Sequence, residues 1–199
     1  MTTSLIRYVT AEGYFDDLRF IADTVKRNEE GEPMPAERFP KELYGKYTGG
    51  KVRKLPDLCN AGGFWVVSAP LAEVLGRFDL GQGSLYPVEV FQIDRRTPVE
   101  GEYYCINFGN RKASFQADQS PRAQRIYPEQ DLWELDLAPE DDDIALSEAA
   151  LQGPDIWVEA PRFRSAFFIS DRLVQALRDA KLTRWLCLYR CRIIKDPAA

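Results

Sequence analysis

Hydrophobic positions along the chain fall into short runs and helical stripes, separated by polar stretches rich in glycine and proline. Residues 4–9 (Ser-Leu-Ile-Arg-Tyr-Val) predict a short opening strand. Phe15, Leu18, Ile21, Ala22 and Val25 then recur at helical spacing, which predicts a helix over 15–27. Residues 28–56 hold Pro33, Pro35, Pro40, Gly45, Gly49, Gly50 and Pro56 among polar and basic side chains, and read as a long irregular connection.

From residue 64 the pattern sharpens. Phe64-Trp-Val-Val67 is an apolar run, Ser68 stands where an N-cap belongs, and Leu71, Val74, Leu75 and Phe78 make one helical face, with Pro70 in the first turn. A strand over 86–93 follows. The same order returns later, with Ala166-Phe-Phe-Ile169, then Ser170, then Leu173, Val174, Ala176, Leu177 and Ala180, then Trp185-Leu-Cys-Leu-Tyr189. A shift of 102 superposes Ser68 on Ser170, Leu71 on Leu173, Leu75 on Leu177 and Leu80 on Leu182. This grammar points to two strand–helix–strand half-units, 64–93 and 166–193, although any capped amphipathic helix behind a strand shares it. Further strands are expected at 103–108, 132–137 and 185–193, and helices at 69–79 and 171–181. The fold class is α+β, a mixed sheet with a few packed helices, in one domain over 1–199.

Composition narrows the chemistry. The chain has 199 residues, 45% hydrophobic and 29% charged, ordinary for a globular protein able to form its own core. It has no histidine at all. That removes Ser-His-Asp and Cys-His catalysis and histidine-based metal sites in one step, and leaves carboxylate, lysine, cysteine or tyrosine chemistry. Ser68 and Ser170 therefore read as helix caps, since no base exists to activate them. Cys187 and Cys191 would stand about 13 Å apart on an extended chain, too far for one metal ion, and Cys59 and Cys105 have no Cys-x-x-Cys partner. No cofactor is expected. No apolar run reaches the length of a membrane span and the N-terminus lacks a signal-peptide pattern, so a cytoplasmic location and reduced thiols are expected.

The net charge is −5, the wrong sign for a whole-protein nucleic-acid binder. The acids are concentrated. Between Ile126 and Glu148 there is no Lys or Arg, yet nine carboxylates. Such a segment would steer a basic protein partner. The candidate contact residues are Asp131, Glu134, Asp136, Glu140, Asp141, Asp142 and Asp143, with Tyr127 as an aromatic anchor. Trp133 falls on the opposite face of its strand and is expected in the core. Asp141-Asp142-Asp143 lacks the alternating order of a calcium loop.

The closing stretch, Ala166-Phe-Phe-Ile-Ser-Asp-Arg-Leu-Val-Gln-Ala-Leu-Arg-Asp-Ala-Lys-Leu-Thr-Arg-Trp-Leu-Cys-Leu, resembles the closing signature of a bacterial immunity-protein family long carried as a domain of unknown function. Val66-Val-Ser-Ala-Pro-Leu-Ala-Glu-Val-Leu75 is similar to the family's first-half motif, and Tyr103-Tyr-Cys-Ile-Asn-Phe108 to its central strand. Arg184 stands where the family usually has glycine. The likeness runs over 60–194 and is strongest at 164–190. It implies a protein that binds and neutralises the cognate toxin of a contact-dependent or secreted bacterial system, with no catalytic residues handed over. Two other readings stay open. One is a small enzyme using carboxylate, lysine or tyrosine chemistry in a cleft between the half-units; the other is a non-catalytic scaffold or dimerisation module.

Overall fold

The computed structural model describes residues 6–8, 18–45, 51–135, 138–160, 162–164, 166–184 and 186–195. Its largest element is a six-stranded mixed sheet built from β1 (Ile6–Tyr8), β2 (Glu42–Gly45), β3 (Leu58–Ala61), β4 (Phe64–Ser68), β5 (Ser84–Phe91) and β6 (Tyr103–Asn107). The spatial order is β1-β2-β5-β6-β4-β3, antiparallel throughout except for the β2–β5 pair. The two edge strands β1 and β3 approach one another, so the sheet curls.

Both faces of β4 and β6 are covered, and this is why they read as unbroken apolar runs. Phe64, Val66, Tyr103 and Cys105 point into one core with Val88 and Val90 of β5, Leu43 of β2 and Ile21 of helix α1 (Leu18–Glu29). Val67 and Ile106 point the other way, towards α2 (Ala69–Leu75) and α3 (Asp171–Asp179). Alternation by residue thus divides a single strand between two cores.

The rest of the chain builds a third core. Short strands β7 (Arg111–Lys112), β8 (Ala123–Arg125), β9 (Leu132–Leu135), β10 (Ala145–Ser147), β11 (Ile156–Glu159), β12 (Arg162–Phe163), β13 (Phe168–Ile169) and β14 (Arg192–Ile194) form three small sheets, β13-β11-β7, β12-β9-β8 and β10-β14. Strand β11 is the wall between cores. Ile156 and Val158 face the helices, while Trp157 packs with Phe163, Phe168, Leu146 and Ile144.

The stretch 28–56 is more ordered than its composition implies. It contains a turn of 3-10 helix (Ala36–Arg38) and the whole of β2, and it buries Met34, Phe39, Leu43 and Leu55. Spaced prolines hide a four-residue strand that tertiary pairing with β5 supports. Gly31, with φ +76°, turns the chain out of α1; a Cβ there would lie 2.5 Å from the Asn110 carbonyl oxygen.

The strand expected at 185–193 is also corrected. Leu186–Cys191 carries no ladder, and only Arg192–Ile194 pairs, in parallel with β10. The alternation of half-buried Leu186 and Leu188 with exposed Cys187 and Tyr189 is strand-like, but no neighbouring strand among the described residues completes it. Among the described residues, no strand directly behind α3 takes the place that β5 holds behind α2.

What the two halves share lies upstream instead. Pro56-Asp57-Leu58 leads into β3 and Pro154-Asp155-Ile156 into β11; β3 pairs antiparallel with β4, whose last residue is Ser68, and β11 with β13, which Ser170 follows directly. In both, the serine N–H donates to the aspartate carbonyl (3.0 Å for Ser68, 2.9 Å for Ser170) and the hydroxyl donates to the aspartate carboxylate. Ser170 also accepts from Leu173 N and caps α3 at 3.3 Å, whereas Ser68 makes no capping bond.

Candidate functional site

The acidic segment divides into two groups in space. Tyr127, Glu129 and Asp131 form the tip of the β8–β9 hairpin, with Glu134 on β9 behind them. Glu140, Asp141, Asp142 and Asp143 form a loop that leads into β10. Asp136 lies outside the described residues. Tyr127 is 48% exposed. Trp133 is half-buried against the third core, edge-on to Phe115, and its indole N–H donates to Asp131.

Most of these carboxylates meet arginines of the same chain. Asp131 pairs with Arg125 at 3.6 Å and Glu134 with Arg164 at 3.5 Å. Arg122 stands 3.6 Å from both Glu140 and Asp143 and donates to the Ala138 carbonyl. Arg190 grips Asp142 with two bonds of 2.7 and 3.0 Å, while its backbone N–H donates to Asp141. The Arg190 guanidinium holds the Asp142 carboxyl below its ordinary range. The 140–143 loop is thus the seat on which residues 190–192 rest, reinforced by the bonds from Asp142 N to Arg190 O and from Arg192 N to Ile144 O.

Both partners of these pairs reach the outer surface, with the side chains of Arg125 50%, Arg164 52% and Arg190 69% exposed. The side chain of Glu140 is 75% exposed and that of Asp131 65%, and such pairs contribute little holding energy in water.

Two carboxylates invisible to a charge census are buried. Asp155 accepts from Ser170 Oγ, from Asp79 N and from both Nε and Nη2 of Arg172. Burial works against its charged form, yet the bonds from Arg172, Ser170 and the Asp79 amide outweigh it and lower its pKa. Glu159 is 1% exposed and accepts from Ser114 N, Ser114 Oγ, Phe115 N and Trp157 Nε1. Lys112 stands 3.6 Å over the Trp157 ring and donates to the carbonyls of Ala150 and Pro154. Both acids are fully engaged in joining elements. The repeated Pro-Asp-aliphatic order was the sequence signal for Asp155; Glu159 had none.

The space between the half-units is filled. Leu58, Val67, Leu71 and Leu75 of the first meet Ile156, Phe167, Ile169 and Leu177 of the second, around an apolar void of about 10 Å³, room for one water molecule at most. The lining carries no ionisable group, whereas the enzyme reading required convergent ones there. An open groove of about 510 Å³ lies elsewhere, along Ala69, Pro70, Ala72, Glu73, Leu85 and Tyr104. No group of three or more Cys, Asp or Glu side chains suited to a metal ion occurs among the described residues, nor any helix long and apolar enough to cross a membrane.

The four cysteines are free thiols. Cys59 and Cys105 flank Val66 in one cross-strand row, two strand spacings apart and beyond disulfide reach. Burial pushes the thiols of Cys59 and Cys191 up to about 12 and raises Cys105 as well. Cys187 is exposed. Iodoacetamide at pH 8, followed by peptide mass spectrometry, is therefore expected to label Cys187 at least about tenfold faster than the other three. Equal rates would mean that the strands open locally.

The chain is α+β and histidine-free, and its buried acids Asp155 and Glu159 are engaged within the fold. The immunity protein family Imm11 matches residues 10–186, and the chain belongs to that family. No curated protein matches the sequence. Membership supports an immunity function and favours a non-enzymatic role.

Proposed function

We propose that the protein neutralises a cognate bacterial toxin by binding it directly in the cytoplasm, and that the toxin presents basic surface to the acidic segment. Tyr127, Asp131, Glu134, Asp136, Glu140, Asp141, Asp142 and Asp143 are the proposed contact residues. The reading is carried by membership of an immunity family together with exposed carboxylates on a chain of net charge −5. Electrostatic complementarity of this kind sets encounter rate and partner choice. A toxin with a basic cleft, such as one that acts on nucleic acid, fits it best.

Co-expression tests the reading. The product of the neighbouring gene, expressed alone and with this chain, is expected to kill cells in the first case only. Survival without this protein, or death in its presence, would overturn the proposal.

The surface itself is tested by charge reversal at exposed positions. Reversing Asp141, Asp142 and Asp143 would also unseat Arg190 and Arg122, so Asp131→Arg with Glu140→Arg is the cleaner pair. The double variant is expected to bind at least about tenfold more weakly, with a shallower dependence on salt. Affinity within twofold of wild type at low salt would remove these carboxylates from the interface.

A further inference from the structure

We infer that the turn following β5 is a second docking surface, shaped for an acidic segment of a partner protein. The turn runs Gln92-Ile-Asp-Arg-Arg-Thr-Pro98, and the stretch Lys51-Val-Arg-Lys54 lies against it. Bonds fix the two together. Val52 N donates to Gln92 Oε1 at 3.0 Å, and Gln92 Nε2 donates back to the Val52 carbonyl. Glu100 N donates to the Arg53 carbonyl at 3.0 Å, where Lys54 bridges to Glu100. One end of the first sheet therefore carries Lys51, Arg53, Lys54, Arg95 and Arg96, each of them exposed.

The neighbouring carboxylates do not cancel this charge. Asp94 is engaged by its own turn, accepting from Arg96 N, Thr97 N and Thr97 Oγ1. Glu100 pairs with Arg53 at 3.2 Å. Glu42 and Glu89 face each other further down the sheet, two residues before Tyr44 and Phe91, and Glu42 accepts from Tyr44 OH. Glu102 is carried to the start of α2, where its carbonyl accepts from Ala69 N. Among the described residues, Lys51, Lys54 and Arg96 form no ion pair. Most carboxylates of the acidic segment, by contrast, meet arginines of their own chain.

The turn is formed before a partner arrives, which lowers the cost of binding. Besides the Asp94 bonds, Gln92 N donates to the Thr97 carbonyl at 2.7 Å and Arg95 N to the Gln92 carbonyl at 3.0 Å. Arg95 holds φ +58°, a left-handed conformation that turns ordinarily give to glycine or asparagine. Its guanidinium lies 5.3 Å over the Tyr44 ring, which offsets part of that strain. Ile93, two residues earlier in the same turn, is 43% exposed. An apolar side chain bordered by arginines fits a protein contact, and a net charge of −5 repels a polyanion such as nucleic acid at long range. The turn belongs to the sheet of the first core and the acidic segment to the third core, so the inference does not rest on the immunity reading.

The test titrates the full chain, labelled with nitrogen-15, with a synthetic peptide of glutamate, leucine and serine at low salt. Amide shifts are expected at 51–54 and 92–97, with an affinity that falls steeply as salt is added. This readout needs no variant to fold. Lys51→Glu with Arg96→Glu is expected to weaken binding at least about tenfold, and Ile93→Ser about threefold, with urea midpoints equal to wild type. Shifts confined to other segments, or undiminished binding by the folded charge-reversed variant, would overturn the docking surface. Equal shifts with a peptide of lysine, leucine and serine would overturn its preference for acids. A single-stranded oligonucleotide of the same charge that binds the turn more tightly than the acidic peptide would overturn the protein partner and assign the surface to nucleic acid.

Discussion

Asn28→Ala is expected to lower the unfolding free energy by about 3–5 kcal/mol, a large fraction of what a domain of this size holds in reserve. Asn28 is 2% exposed near the C-terminal end of α1, and its amide is shared among three partners of β6 and its continuation. Nδ2 donates to the Ile106 carbonyl at 2.9 Å, while Oδ1 accepts from Asn107 Nδ2 at 2.9 Å and from Phe108 N at 3.0 Å. Asn107 then carries the connection onward, donating to the Glu32 carbonyl and accepting from Met34 N. Alanine would strand two donors and one acceptor in the interior, each costing about 1–3 kcal/mol, offset by local relaxation. Asn28→Asp would keep the acceptor but lose the donor to Ile106 and bury a charge, so it is expected to fare no better. Urea unfolding followed by tryptophan fluorescence measures both. Because Asn28 and Asn107 share one network, the Asn28→Ala/Asn107→Ala double variant should lose clearly less than the sum of its singles. A loss below about 1 kcal/mol for Asn28→Ala would mean that apolar packing alone docks α1.

The network was not legible beforehand, and the reason is general to this chain. Periodicity reports which side chains are apolar and at what spacing, so β4, β6 and all three helices could be read from it. The helix expected at 15–27 is α1, although residues 15–17 lie outside the described ones. Strand β2 escaped because Glu42-Leu-Tyr-Gly45 is too short for a period and lies among prolines. The run Trp185–Tyr189 misled in the opposite direction, since alternation of exposure occurs there without a ladder partner among the described residues.

The candidate site shows the same divide. Its carboxylates stood out as a run without Lys or Arg, but two of the arginines that meet them come from far along the chain: Arg164 lies 30 residues from Glu134 and Arg190 lies 48 from Asp142. An aspartate is taken for surface unless its surroundings say otherwise, which is how Asp155 went unnoticed despite its repeated Pro-Asp setting.

Asp155→Asn is expected to cost about 2–4 kcal/mol at pH 7 and to flatten the acid limb of the stability curve. The residue joins three pieces of the fold. Its carboxylate holds Ser170 at the start of α3, Arg172 in the first turn of that helix and the Asp79 amide beyond α2, while its own N–H donates to the Asp79 carbonyl at 2.7 Å. The amide would keep one acceptor and place an NH2 against donors, so at least one bond becomes a clash of donors. Arg172 is 65% exposed and can turn to water, which puts the loss below that of a fully buried pair. The sign of the pH effect follows from the lowered folded-state pKa: the stabilisation is present above the unfolded carboxyl value of about 4 and is lost as pH falls through the folded value. Asp142, held down by Arg190, and Asp94, brought to about 2 by its bonds from Thr97 and Arg96, titrate in the same direction. Wild type is therefore expected to lose stability steadily as pH falls below about 4, while the gap between wild type and Asp155→Asn narrows over the same range. Urea midpoints at pH 7, 4 and 2.5 would show it. A gap that stays constant with pH would mean that Asp155 acts through shape and hydrogen bonding alone, with its charge balanced to no net effect by the cost of burial.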